Sequence, residues 1–109
     1  MKVEHYSRTA AEPVEGVPGV TVRWVIGEKD DAPNFAMRIF EIEPGHSTPY
    51  HQHDWEHEVL VLDGEGVVRQ EGGELRIRDG SVVFVPGMEM HQFANRGESV
   101  LRFVCLVPI

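Results

Sequence analysis

The chain has 109 residues, enough for one domain with a modest core. Its 18 acidic and 10 basic residues give a formal charge of −8, which argues against a phosphate-neutralising nucleic-acid binder and against docking on anionic membranes. One cysteine, Cys105, excludes an internal disulfide, and the N-terminus lacks the apolar stretch of a signal peptide, so a cytoplasmic protein is expected.

Residues 1–20 are polar, carry Pro13, Gly16, Pro18 and Gly19, and read as an extended arm. Residues 21–109 form one domain of short β-rich runs separated by turns. The first runs are TVRWVI and FAMRIFEIE. In the second, Arg38 and Phe40 share a face. TPYHQH follows the turn at Pro44–Gly45. On a strand, His51 and His53 would lie on one face about 7 Å apart, close enough for their ring nitrogens to converge on one ion at about 2.0–2.1 Å. Asp54, Trp55 and Glu56 make a short excursion. HEVLVL then begins at His57, where a third ligand could close on the same ion. GVVRQ, ELRIR and SVVFV come next, with turns at Asp63–Gly64, Gly72–Gly73 and Asp79–Gly80. After the turn at Pro86–Gly87, MHQFA sets His91 at a strand start, able to supply a fourth ligand. The last run, VLRFVCLV, puts Leu101, Phe103, Cys105 and Val107 on one face. With that face inward, Phe103, Cys105 and Val107 line a pocket beside the metal. Cys105 reads there as a small buried hydrophobe rather than a ligand.

Strands at this even spacing, with Gly, Pro and Asp between them, predict a sandwich or barrel. No run after residue 20 has a helical period. Half of the six histidines fall within seven consecutive positions. A lone histidine is usually a surface or core residue, but HxHxxxH with a further strand-start histidine is a metal-ligand pattern. There is no CxxC pair, no Walker loop and no G-x-S-x-G elbow, and GEG at Gly64–Gly66 reads as a hairpin turn.

Two spaced motifs carry a resemblance. Gly45, five residues, then His51-Gln52-His53 form the first. Gly80, five residues, Pro86, then His91 and Asn95 form the second. Together they resemble the cupin family over about residues 20–109. The second motif departs at Met88, where the family has glycine; Gly87 stands beside it. The resemblance implies an all-β antiparallel jelly-roll barrel with one divalent metal ion per chain near its centre. The family's usual glutamate follows HxH by three or four residues, so His57 fits the shorter spacing and Glu58 the longer. A closing glycine normally follows that ligand after six residues. This reaches Gly64 from His57 and Glu65 from Glu58. Strand alternation also sets His57 and Glu58 on opposite faces. The implied ligands are His51, His53, His57 and His91, without Glu58, as in small single-domain cupins with a four-histidine site. The stretches DAPNF, WEHEVLVLDGEG and FVCLVP are similar to that subgroup. Four neutral imidazoles would leave the ion its full double charge, favouring anionic or oxygen-donor ligands.

The expected function is a metal-binding oxidoreductase of dioxygenase type acting on a small organic substrate. Mn or Fe is favoured, with Zn, Ni and Cu also compatible. The alternatives are a metal-dependent isomerase or sugar-processing enzyme and a non-catalytic small-ligand-binding protein. The apolar lining lacks the polar groups a phosphosugar needs. Arg38, facing inward, would hold a substrate carboxylate or make a structural ion pair. Trp55 would act as a lid or meet a partner subunit, and one of Glu56 and Glu58 could orient a ligand imidazole from behind. His5 and His46 receive no role. A homodimer is expected, because a small core gains from association.

Overall fold

A computed structural model describes all 109 residues. Its strands are β1 (Glu12–Pro13), β2 (Val20–Ile26), β3 (Phe35–Ile42), β4 (His57–Asp63), β5 (Glu65–Gln70), β6 (Gly73–Arg78), β7 (Val82–Val85), β8 (His91–Asn95) and β9 (Leu101–Pro108). The only helical elements are two three-residue 3₁₀ turns, Tyr6–Arg8 and Glu28–Asp30, and no helix is long and apolar enough to cross a membrane. All strand pairs are antiparallel. One sheet has the order β1-β2-β3-β9-β4-β7 and the other β6-β5-β8. The jelly roll therefore stands as two facing sheets, and the hydrogen-bonded ladder does not run unbroken around the barrel.

Alternating side chains make the core. On β9, Leu101, Phe103, Cys105 and Val107 are buried while their neighbours are half-buried. On β4, His57, Val59 and Val61 point in and Glu58 and Leu60 point out. Apart from His57, these inward residues join Val20, Ala36, Ile42, Val68, Ile77, Val85 and Phe93 in one hydrophobic cluster. Asn95 is a buried polar residue with full partners. Its amide donates to the Ile42 and Ser99 carbonyls, each at 2.8 Å, and its oxygen accepts from Gly97 N–H at 2.8 Å, closing the turn into β9.

The run TPYHQH, expected as a strand, is not one. Its register with β8 is limited to isolated bridges, Ser47 to Ala94 just before it and His51 to His91 within it. Pro49 has no N–H for a ladder. Beside it, Thr48 Oγ1 accepts the Phe93 N–H at 2.9 Å, taking the place of a backbone carbonyl.

The arm folds onto its own chain. β1 pairs with β2, Arg23 donates to the Thr9 carbonyl at 2.7 Å, and the Tyr6 ring lies under the guanidinium groups of Arg23 and Arg102. Both arginines pair with Glu41. Burial opposes the charge on Glu41, but the hydrogen bonds from Arg102 and Arg23 outweigh it and hold its carboxyl below the usual range.

The departure at Met88 has a local cause. Pro86–Glu89 is a tight turn closed by Glu89 N–H to the Pro86 carbonyl at 3.3 Å. Its third residue, Met88, adopts φ 68°, the left-handed region that favours glycine. A side chain at Gly87 would put Cβ 2.7 Å from the Asp54 carbonyl oxygen. The close approach thus falls at position 87, while Met88 sits in the strained conformation. Met88 N–H also donates to the His53 carbonyl at 2.6 Å, bracing the histidine segment. Met88→Gly is expected to raise stability by about 1 kcal/mol, a shift of several degrees in the thermal melting of metal-free protein. Gly87→Ala is expected to lower the same melting temperature.

Candidate metal centre

Four imidazoles meet between the two sheets. His57 opens β4 and His91 opens β8, and both are buried. His51 and His53 come from the irregular segment that crosses between them. Ring nitrogens of His51, His53 and His91 all lie within 4.8 Å of one another. His57 stands against this trio, with its Nε2 2.7 Å from His53 Nε2 and its ring 5.2 Å from that of His91.

Backbone carbonyls fix the tautomers. His53 Nδ1 lies 3.0 Å from the Trp55 carbonyl and His91 Nδ1 lies 2.8 Å from the Glu89 carbonyl. A carbonyl only accepts, so each Nδ1 carries the proton and each Nε2 presents a lone pair to the cluster. Trp55 also stacks flat on His53, with ring centroids 4.2 Å apart, and holds that ring in plane. With His53 Nε2 bare, the contact at 2.7 Å is His57 Nε2–H donating to it. His57 Nδ1 is then an acceptor, facing Cys105 Sγ at 3.2 Å and an Arg38 N–H at 3.5 Å.

The surroundings oppose protonation of His51, His57 and His91. Burial, then the neighbouring His53 and Arg38, push His57 down to about 3. Burial also lowers His51 and His91, and for His91 the hydrogen bond to the Glu89 carbonyl acts in the opposite direction. The Cys105 thiol is raised by burial, with Arg38 opposing. The inward lone pairs of His53 and His91, with His51 and His57 beside them, are donors of the kind a divalent ion of borderline softness takes, so these residues fit a metal.

A cavity of about 240 Å³ opens beside the cluster. Arg38, Phe40, Phe103 and Cys105 line it, together with the four histidines. Val107 does not. It pairs with Ala36 one inward position beyond Cys105, packs in the core and borders a neighbouring hollow together with Trp24 and Trp55. Glu58 faces outward between Phe84 and Leu106. The sequence reading missed Val14 and Val17, which wall the cavity from the arm, and Thr48, Pro49 and Phe93 on the opposite side. A signal for the first pair was present: two valines three apart in an otherwise polar segment. None of the lining residues is acidic. Arg38 has no carboxylate partner. It donates to Cys105 Sγ at 3.2 Å and lies over the Trp24 and Phe40 rings, and its buried Nε has no hydrogen-bond partner.

The depressed imidazoles set a pH dependence for metal-free protein. An unfolded histidine takes up a proton near pH 6.5, whereas the folded His57 does so only near pH 3. The unfolded state therefore binds more protons as pH falls below about 6.5, and stability is lost in that direction. Urea midpoints of chelator-treated protein are expected to fall steadily from pH 7.5 to pH 5. His57→Gln is expected to flatten that slope.

Comparison with known proteins agrees with this architecture. The cupin domain family matches residues 38–107. The structure of the polyketide cyclase RemF from Streptomyces resistomycificus superposes with a TM-score of 0.93 and 34% identity, covering 99% of this chain and 79% of that one. An oxalate-binding protein of Thermotoga maritima is 34% identical over 68 residues, 62% of this chain and 56% of that protein. A 1-methylthio-D-xylulose 5-phosphate methylsulfurylase of Rhodospirillum rubrum is 30% identical over 71 residues, 65% of this chain and 46% of that protein. The matches span about half the length of these two curated relatives. With two facing antiparallel sheets, a histidine cluster between them and a family match across most of the domain, the chain belongs to the cupins.

Proposed function

We propose that this protein is a metal-dependent enzyme acting on a small anionic substrate rich in carbonyl or carboxylate oxygen, with His51, His53, His57 and His91 holding one divalent ion. The observation that carries this reading is the cavity itself: four imidazoles and an arginine without a carboxylate partner, no acidic group, and mostly apolar walls besides. Two nitrogens bound at a right angle to one ion stand about 3.0 Å apart, and the 2.7 Å between His53 and His57 is within a few tenths of that. For His57 to offer Nε2, its proton must sit on Nδ1. Cys105 Sγ is then the acceptor within reach, because Arg38 has only donors.

A divalent ion in this set supplies the positive charge that polarises a carbonyl oxygen and acidifies the C–H beside it. The chain's own residues do the rest. Arg38 orients a carboxylate. Phe40, Phe103 and Phe93, whose rings stack in that order with centroids 5.5 and 4.8 Å apart, exclude water from the reacting carbons. This favours carbonyl chemistry such as condensation or isomerisation, and the likeness to a polyketide cyclase supports it. The oxidative reading stands second. The same dry aromatic wall and the nearby Cys105 thiol suit oxygen chemistry at Mn or Fe.

Metal analysis of protein purified without a metal column tests the ligand set. Glu58→Gln is expected to retain the ion and His57→Ala to lose most of it; the reverse ranking would move the fourth ligand to Glu58. Reconstituted samples test the reaction on a panel of β-diketones and β-keto carboxylates. Carbonyl chemistry predicts turnover by zinc protein as well as manganese protein, with no oxygen uptake. Oxidation predicts turnover only with Mn or Fe, with oxygen consumed.

A further inference from the structure

A second hollow adjoins the metal cavity and shares two walls with it. This groove, of about 490 Å³, is lined by Trp24, Trp55, Ile109, Glu28 and Arg38 among others, and Arg38 and Trp55 line both spaces. It holds both tryptophans of the chain. Trp24, Trp55 and Ile109 are each close to half exposed, an unusual outlay of large apolar surface around one opening. Arg38 stands at the junction. One of its terminal nitrogens reaches inward to Cys105 Sγ at 3.2 Å, and its guanidinium lies 5.2 Å from the Trp24 ring, its cross-strand neighbour. Its Nε is buried and unpartnered. A buried cationic donor without an acceptor is costly unless a ligand supplies one.

We infer that the Trp24–Trp55 groove is a subsite for the aromatic body of an elongated substrate, whose oxyanion is bound by Arg38 at the junction with the metal cavity. The inference rests on the proposed metal-dependent reading and extends it to a substrate class: planar aromatic carboxylates and related delocalised oxyanions, too long for the metal cavity alone. The charges set the direction of binding. Glu28 is exposed on the groove and repels an anion, whereas no acidic residue lines the space on the other side of Arg38. The oxyanion therefore lies inward and the ring outward, between indoles that offer stacking faces. Trp55 already stacks on His53, so a ring seated against it is coupled to a ligand imidazole. Trp24 touches no histidine of the cluster and is the residue whose loss isolates the subsite.

The experiment uses zinc-loaded protein, which is diamagnetic, and three probes of increasing length: acetate, benzoate and 2-naphthoate. Calorimetry is expected to show affinity rising along the series, with 2-naphthoate at least about tenfold tighter than acetate. Both indole N–H resonances are expected to shift with 2-naphthoate and to stay near their free positions with acetate. Trp24→Ala should remove most of the advantage of 2-naphthoate while leaving acetate nearly unchanged. Arg38→Met should weaken all three by about tenfold or more, and uncharged 2-naphthalenemethanol should bind wild type weakly. Equal affinity for acetate and 2-naphthoate in wild-type protein would overturn the inference whatever the variants do. So would tight binding of 2-naphthoate that neither Trp24→Ala nor Arg38→Met alters. The two proposals fail separately. Length-dependent, Arg38-dependent binding in protein that takes up no metal would retain the subsite and remove the metal chemistry. Metal retained by the four histidines with no length dependence would do the reverse.

Discussion

Uncharged imidazole has to be maintained inside a strongly acidic chain, and much of the architecture answers to that requirement. A carboxylate near the cluster would raise the histidines toward protonation and close their lone pairs to an ion. The 18 acidic side chains are accordingly kept out of the cavity lining. The part-buried carboxylate of Glu41, paired with Arg23 and Arg102, sits where the arm is clamped rather than at the histidines. Within the cluster, burial and mutual repulsion oppose the charged form of His51, His57 and His91. Carbonyls at Trp55 and Glu89 select which nitrogen of His53 and His91 is bare.

The same partition separates two kinds of arginine. Arg23 and Arg102 have carboxylates, and with Tyr6 beneath them they fasten the arm. Arg38 has aromatic faces and a sulfur atom instead. Its charge is therefore not neutralised locally and is directed at the space beside the metal site. A strand position that alternates inward is unusual for an arginine in a small core, and here the guanidinium rests against the Trp24 and Phe40 rings.

Much of this was legible in the chain. Even turn spacing gave the facing sheets, and HxHxxxH with a strand-start histidine pointed to the residues that meet. Alternation was enough to send His57 in and Glu58 out. Side-chain patterns were silent where the backbone decides. TPYHQH reads as β, yet Pro49 and the Thr48 hydroxyl interrupt the ladder. The tautomers depend on carbonyls two residues away, which no residue type announces. Val107 shares the face of Cys105 but lies one inward step too far along β9 to reach the cavity. The arm's part in walling the cavity depends on long-range packing of Val14 and Val17, and a polar segment hides it. Met88 shows the limit in the other direction: the missing glycine was visible, but not that the close approach had shifted to Gly87.

The interrupted ladder has a mechanical consequence. His57 and His91 begin regular strands, whereas His51 and His53 hang on a segment tied by isolated bridges, by Thr48 through its N–H, hydroxyl and carbonyl, and by the Met88 N–H. The four rings thus divide into a fixed half and a hinged half. The cost of opening falls on few hydrogen bonds, all local to one segment, and the core between the sheets need not loosen for it. An ion held by all four rings would then be admitted or let go by displacing this segment alone, with His57 and His91 left in place on their strands.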